Sequence, residues 1–234
     1  MGTVSRSVPY MTEGLNTSLK YFWYLYMDKA LTQSTYEDGI AELSTRDREL
    51  AAVVLKWGKP PFWTHTPGFP GIVLAILSQQ VSLESAQAAF TKLEAEIGPI
   101  VADAFLSLDA TKLREIGFSR QKASYVRSFA QAMIAGDLDF GILETLDDDQ
   151  VRQKLMGIKG IGRWTADTYL LFALRRPDAW PSGDLALAKS IQEVKGLTSI
   201  PPFDEVDRIA LDWKPWRAVA ARILWHSYLS ERGR

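Results

Sequence analysis

The sequence predicts an all-α protein. Beyond residue 70 no stretch alternates apolar and polar residues at strand spacing. Proline and glycine fall instead at the joints between segments whose apolar residues recur at helical spacing. With 47% apolar residues in 234, the chain can bury the core of one large domain or of two small, intimately packed ones. About ten helices of ordinary length are expected.

In chain order, the first 20 residues are polar with scattered turn formers. Residues 21–27 are dense in aromatics, and so short a run fits a buried helix or a strand equally. Thr45 to Lys56 reads as a helix, with Leu50, Val53, Val54 and Trp57 spaced for one face. Residues 58–71 hold four prolines and three glycines, which makes a rigid connector presenting Phe62 and Trp63. An apolar helix over Ile72 to Leu77 leads through Gln79, Gln80 and Val81 to a new start at Ser82. There Glu84 and Ser85 complete a capped turn before an Ala-rich helix ended by Gly98 and Pro99. Short elements over Ile100 to Phe105 and Asp109 to Glu115 follow, the second with an N-cap at its start. Gly117, Phe118 and Ser119 break the chain before a helix from Arg120 to about Ala135, whose apolar face is Ala123, Val126, Ala130, Met133 and Ile134. Asp137 to Leu146 repeats the pattern.

Composition excludes several chemistries. Cysteine is absent, which removes disulfides, a thiol nucleophile, thiolate zinc sites and a cysteine-held iron–sulfur cluster. The two histidines, His65 and His226, lie 161 residues apart and do not make a His-rich metal centre. No secretory leader and no bilayer-length apolar run is seen, so a cytoplasmic protein without membrane contact is expected. The net charge of −1 hides an asymmetry: residues 1–150 hold 13 Lys/Arg against 19 Asp/Glu, residues 151–234 hold 14 against 9. A surface for nucleic acid would therefore draw on the C-terminal third.

The most informative window runs from Leu155 to Ala166. An amphipathic segment from Asp149 to Met156 enters it, Gly157, Gly160 and Gly162 form a tight turn, and a helix leaves from about Arg163 to Leu174. Ile158 and Ile161 can point inward and pin the helices together. Amides at Gly160, Gly162 and the next turn lack partners at a helix start and form a cradle for a phosphate. This is a helix–hairpin–helix pattern. The preceding segment is helical, which excludes the dinucleotide fingerprint, and no Gly-Lys-Ser/Thr follows to make a Walker A loop. A plain turn stays open on these residues alone. Asp184 lies 22 residues beyond Gly162, in the first turn of an apolar helix after Pro181, Ser182 and Gly183. Taken singly, such a residue is usually just a helix cap.

Together these motifs resemble the helix–hairpin–helix DNA glycosylase superfamily, and within it the 3-methyladenine DNA glycosylase II branch that excises alkylated purines. Gly160-Ile161-Gly162 followed by Asp184 matches the family's hairpin and its aspartate about twenty residues on. The stretch Gly162 to Ala166, the C-terminal Lys214 to Ala220 running on to Leu224 and Trp225, Ile76 to Ser82, and Gly117 to Tyr125 are similar to the branch's wording. The resemblance spans about residues 60–230. It implies two packed helical subdomains with the active-site cleft between them. Residues 1–70 would pack with the C-terminal helices, 71–180 would hold the hairpin at about 150–174, and 181–234 would carry the aspartate helix and the last helices.

The resemblance also implies roles. Asp184 is the expected catalytic carboxylate. Lys159, Gly160, Gly162, Arg163 and Thr165 are expected on the DNA, with Gln80 at the wedge position and Gln79 the adjacent alternative. Trp164 is the first candidate to stack on a flipped base, with Trp180, Phe62, Trp63 and Phe118 as companions. Backbone carbonyls of Met156, Ile158 and Ile161 would hold a structural cation, and no cofactor is otherwise expected. The partner is double-stranded DNA containing alkylated bases, bound by a monomer. Members that also cut the backbone carry a nucleophilic lysine two residues after the second hairpin glycine. Here that residue is Trp164, which implies base release without strand cleavage, with Lys159 nearby to be excluded by test. The β-rich N-terminal domain of some members is expected to be shortened or missing. A glycosylase for deaminated or mismatched bases, a non-catalytic hairpin protein that only clamps DNA, and a plain helical interaction protein stand as alternatives.

Overall fold

The computed structural model describes residues 30–233, so the aromatic run at 21–27 lies outside the described residues. Among the described residues the fold is all-α, as the periodicity implies, with thirteen α-helices and one short 3-10 turn. They form two packed subdomains.

The first subdomain combines both ends of the described chain. Helices α1 (Gln33–Arg46) and α2 (Arg48–Trp57) pack with α11 (Leu185–Lys195) and α13 (Arg217–Ser230), and α12 (Phe203–Ala210) joins α11 on one side. The single helix expected from Thr45 is in fact two, broken at Asp47. That residue adopts extended backbone, and its carboxylate accepts the Glu49 and Leu50 amides and the Trp213 indole N–H. Such an N-cap stabilises a helix by about 1 kcal/mol. Helix α1 has a thin apolar stripe of Tyr36, Ile40 and Leu43 shared with Gly39, which gives little helical periodicity in sequence. The structure requires that glycine, since a Cβ there would lie 2.9 Å from the Trp216 ring. Helix α13 is buried nearly all round through Ala218, Val219, Ala220, Ala221, Ile223 and Leu224, which makes it the axis of this subdomain.

The second subdomain runs from α3 (Phe69–Leu77) through α4 (Leu83–Ile97), α5 (Ala102–Ser107), α6 (Ala110–Ile116), α7 (Arg120–Ile134), α8 (Phe140–Thr145) and α9 (Asp148–Met156) to α10 (Arg163–Phe172). Its starts follow the caps: the Ser82, Asp109 and Ser119 side chains each accept the amide three residues on. Apolar periodicity is less faithful. Ile134 is exposed, whereas Phe129, five residues earlier, is fully buried against Phe69.

Arg222 joins the halves. Fully buried on α13, it donates to the carbonyls of Leu171 at the end of α10 and of Trp63 in the connector. Burial lowers its pKa to about 10, with Tyr36 opposing, so it stays charged at neutral pH. The Phe62 and Phe172 rings, each 5.4 Å from the guanidinium, supply part of the stabilisation that water would have given.

Candidate active site and nucleic-acid interface

The hairpin is built from local signals. Asp147 and Gln150 form a capping box at the start of α9, which ends at Gly157. Gly162 caps α10 without a side chain, and the first bond of that helix runs from the Ala166 amide to the Gly162 carbonyl. The amides of Arg163, Trp164 and Thr165 therefore precede any intrahelical acceptor. Ile161 is buried and Ile158 packs against the core, pinning the turn as expected. Gly160 has φ +91°, and a Cβ there would fall 2.0 Å from Cγ of Tyr125. The Tyr125 ring thus lies directly on the hairpin backbone. Together with residues 156–162 it lines an open concavity of about 520 Å³.

Asp167 was not anticipated. Its carboxylate is 0% exposed and bridges Arg152 of α9 at 2.5 Å and Arg163 at 2.8 Å, so one buried charge ties the two hairpin helices together. Removing Arg152, the buried partner, costs about 3–5 kcal/mol. Arg163 keeps its Nε on Asp167, and its side chain remains 56% exposed beside the free amides. Lys159 is exposed on the loop.

The two glutamines do different things. Gln80 is exposed in the loop after α3 and has φ +57°, a left-handed conformation costing about 1–2 kcal/mol for a residue with a Cβ. Gln79 turns inward, where its Nε2 donates to the Gly160 carbonyl at 3.2 Å and the Thr165 hydroxyl at 2.9 Å. Gln79 is thus held by the protein among the described residues, and the hydroxyl of the buried Thr165 is one of its two acceptors.

Asp184 is the N-cap of α11, one position before the first turn in which the sequence placed it. Gly183, with φ +81°, makes the bend. The approach is fixed by Asp207, which accepts from the Trp180 indole N–H at 2.9 Å and the Ser182 hydroxyl at 2.6 Å. Three N–H groups converge on the Asp184 carboxylate. Oδ1 accepts the Leu187 amide at 2.9 Å and the Trp225 indole at 3.3 Å, and Oδ2 accepts the Trp164 indole at 2.8 Å. Trp164 belongs to the hairpin subdomain and Asp184 to the other, so this carboxylate sits where the two meet, 9% exposed.

Of the five aromatic candidates, Trp164 alone hydrogen-bonds Asp184. Trp180 is buried, tilted against Trp213 at 5.7 Å, and Phe118 is buried with its edge against Phe105 at 5.5 Å; both are core residues. Phe62 stacks on Tyr36 at 4.7 Å, and Trp63 meets His226 edge-on at 6.3 Å, so the connector aromatics pack around Arg222 and His226. The residue that sequence reasoning left out is Trp225. Its ring stacks on Phe172 at 5.3 Å, and His65 stacks on Phe172 at 4.6 Å. A row of three aromatic rings thus leads to Asp184. Trp225 stood within a quoted C-terminal motif, but nothing in its local pattern distinguishes it from a core tryptophan.

Burial, reinforced by the Arg222 charge, brings the His65 pKa down to about 4 from the usual 6.5. His65 is therefore neutral at physiological pH. Between pH 6.5 and 4 the unfolded chain takes up a proton that the folded chain refuses, so stability falls as pH drops through that window and levels off below it. The loss is up to about 3 kcal/mol. Chemical denaturation from pH 7 to 4 should show this slope, and His65→Gln should flatten it. An equal slope in both proteins contradicts the assignment.

Among the described residues no group of three or more His, Cys, Asp or Glu is placed to hold a metal ion. The carbonyls of Met156, Ile158 and Ile161 are a separate matter. The Ile158 carbonyl already accepts the Ile161 amide at 3.2 Å, and residues 156–162 contain no carboxylate. Neutral carbonyl oxygens are the donor type that hard cations take, and a set of three needs an anion to complete it. Among the described residues no helix is long and apolar enough to cross a membrane.

A glycine hairpin with free amides, facing a helix-capping carboxylate across a seam of two helical subdomains, defines a helix–hairpin–helix base-excision protein. A family model described as "HhH-GPD superfamily base excision DNA repair protein" matches residues 73–216, a span that contains both the hairpin and Asp184. The chain belongs to this superfamily and, within it, to the 3-methyladenine DNA glycosylase II-like branch. It is 30% identical over 202 residues to the alkylbase DNA glycosidase-like protein mag2 of Schizosaccharomyces pombe, covering 82% of this chain and 93% of that protein. The structure of the 3-methyladenine DNA glycosylase Mag1 of the same yeast, in complex with abasic DNA, aligns with a TM-score of 0.75 at 25% identity, over 83% of this chain and 97% of that one. A DNA-3-methyladenine glycosidase from Bacillus halodurans aligns with a TM-score of 0.69 at 26% identity, over 84% and 91%.

Proposed function

We propose that this protein is a monofunctional DNA glycosylase that hydrolyses the N-glycosidic bond of alkylated purines, of the 3-methyladenine and 7-methylguanine type, in double-stranded DNA. The observation that carries the reading is Asp184, a nearly buried carboxylate held by two indole N–H groups and one amide at the seam of the two subdomains.

A base inside a duplex is unreachable until it is extruded. The hairpin amides hold a backbone phosphate, Lys159 and the outer face of Arg163 add positive charge, and Gln80 fills the vacated space. A structural cation on the Met156, Ile158 and Ile161 carbonyls would take that phosphate as its anionic ligand. The extruded base enters beside Trp164 and Trp225, whose π-faces attract the positive charge that N3- or N7-alkylation places on a purine. Alkylation also weakens the glycosidic bond, so the site needs no strong general acid. Asp184 stabilises the positive charge developing on the sugar and orients water toward C1′. The C1′–N bond breaks with its electron pair going to the cationic base, which departs neutral; water adds its hydroxyl to C1′ and gives its proton to solvent by way of Asp184, leaving an abasic site.

Trp164 stands where a strand-cleaving relative would need a lysine, and its indole is tied to Asp184. Borohydride added during turnover should therefore trap no covalent enzyme–DNA adduct, and abasic product should stay uncut until treated with alkali. A trapped adduct, abolished by Lys159→Ala, overturns the monofunctional reading.

A further inference from the structure

We infer that Gln79 is a positioning residue that locks the hairpin to the Gln80 loop, so that phosphate capture and insertion into the duplex act as one unit. This rests on the reading of Gln80 as the inserting side chain. Three contacts close a triangle. Helix α7 presents Lys122 and Tyr125 one turn apart. Lys122 Nζ donates to the Leu77 carbonyl at the end of α3, just before the Gln80 loop, at 2.7 Å. Tyr125 lies against Gly160 of the hairpin. The third side is Gln79, whose one amide nitrogen reaches both the Gly160 carbonyl and the Thr165 hydroxyl.

Helix α7 alone would leave the loop and the hairpin as two separate attachments, each able to shift on its own. Gln79 joins them directly, and it is the immediate neighbour of the residue held at φ +57°. A phosphate drawn onto the Gly160–Gly162 turn therefore fixes the base of the Gln80 loop in the same event. The amide nitrogen is what matters here, because both partners accept. A methionine of similar length cannot donate to the Gly160 carbonyl and adds no charge beside the phosphate, and that substitution separates bonding from bulk.

The test is a double-mutant cycle with two readouts: affinity for a duplex carrying a tetrahydrofuran abasic analogue, and the stopped-flow fluorescence step of 2-aminopurine placed beside a methylated base. Gln79→Met and Gln79→Ala should lower the extrusion step roughly tenfold, the weight of one lost buried hydrogen-bonding group, while affinity and its salt dependence stay within about twofold. Thr165→Val, which removes one partner from the hairpin side, should give a smaller loss of the same kind. Because Gln79 acts through Gln80, adding Gln79→Ala to Gln80→Ala should cause no further loss. Multiplying losses in the double variant, or equal falls in affinity and extrusion for Gln79→Met, overturn the inference and leave the Gln80 reading standing. Normal extrusion by Gln80→Ala alone overturns the Gln80 reading itself, and the inference with it.

Discussion

Replacing Asp184 with asparagine should lower single-turnover excision by at least roughly 10²–10³-fold, the scale on which preorganised electrostatic groups act, while affinity for abasic DNA changes little. The substitution is informative because of where Asp184 sits. As the N-cap of α11 it accepts the Leu187 amide, a task asparagine performs about as well as aspartate. The helix therefore survives. What asparagine loses is the negative charge and one of two acceptor oxygens. Trp164 and Trp225 both donate to this carboxylate, so one indole N–H of the variant faces an amide NH₂. A buried donor left without a partner costs about 1–3 kcal/mol, so the melting temperature should drop modestly, by far less than activity does. Loss of activity with an unchanged fold isolates the charge as the catalytic element. Near-normal turnover in this variant would remove Asp184 from the mechanism.

The second large effect is expected at Gly160, and it reaches DNA binding rather than chemistry. Two independent penalties meet there. The backbone has φ +91°, which an alanine adopts at a cost of about 1–2 kcal/mol. The new methyl would also lie 2.0–2.5 Å from three atoms of the Tyr125 ring, well inside contact distance. Overpacking of this kind typically costs about 1–3 kcal/mol. Gly160→Ala should thus destabilise the protein by about 2–5 kcal/mol, or force the hairpin off Tyr125 and weaken binding to undamaged and damaged duplexes alike. Combining it with Tyr125→Ala separates the terms: the steric part should be relieved and the conformational part should remain. Full tolerance of Gly160→Ala, in stability and in DNA affinity, would mean that the hairpin is not held against Tyr125.

The parts of this molecule legible in its sequence are those written in short-range signals. Ser82, Asp109 and Ser119 announced their helices because an N-cap is a contact over three residues. The Gly160-Ile161-Gly162 turn and the buried isoleucine within it were readable for the same reason. Legibility failed where position depends on distant packing. Phe118 is a core residue only because Phe105 comes to meet it, and Trp180 only because Trp213 and Asp207 do. Trp225 reaches Asp184 across 41 residues of sequence, and Asp167 takes its meaning from Arg152 on the other hairpin helix. The division of labour between Gln79 and Gln80 turns on one positive φ angle, which two identical side chains in succession cannot reveal.

Release of alkylated purines is measured most directly on the bases themselves. Duplex DNA randomly methylated with dimethyl sulfate is incubated with the protein, and the freed bases are identified by chromatography and mass spectrometry. Matched duplexes containing hypoxanthine and uracil are run beside it. The expected result is free 3-methyladenine and 7-methylguanine, released by the wild-type protein and not by Asp184→Asn, with the deaminated bases left in place. Release of hypoxanthine or uracil without any methylated purine, or no base release at all from a protein that binds the DNA, would contradict it.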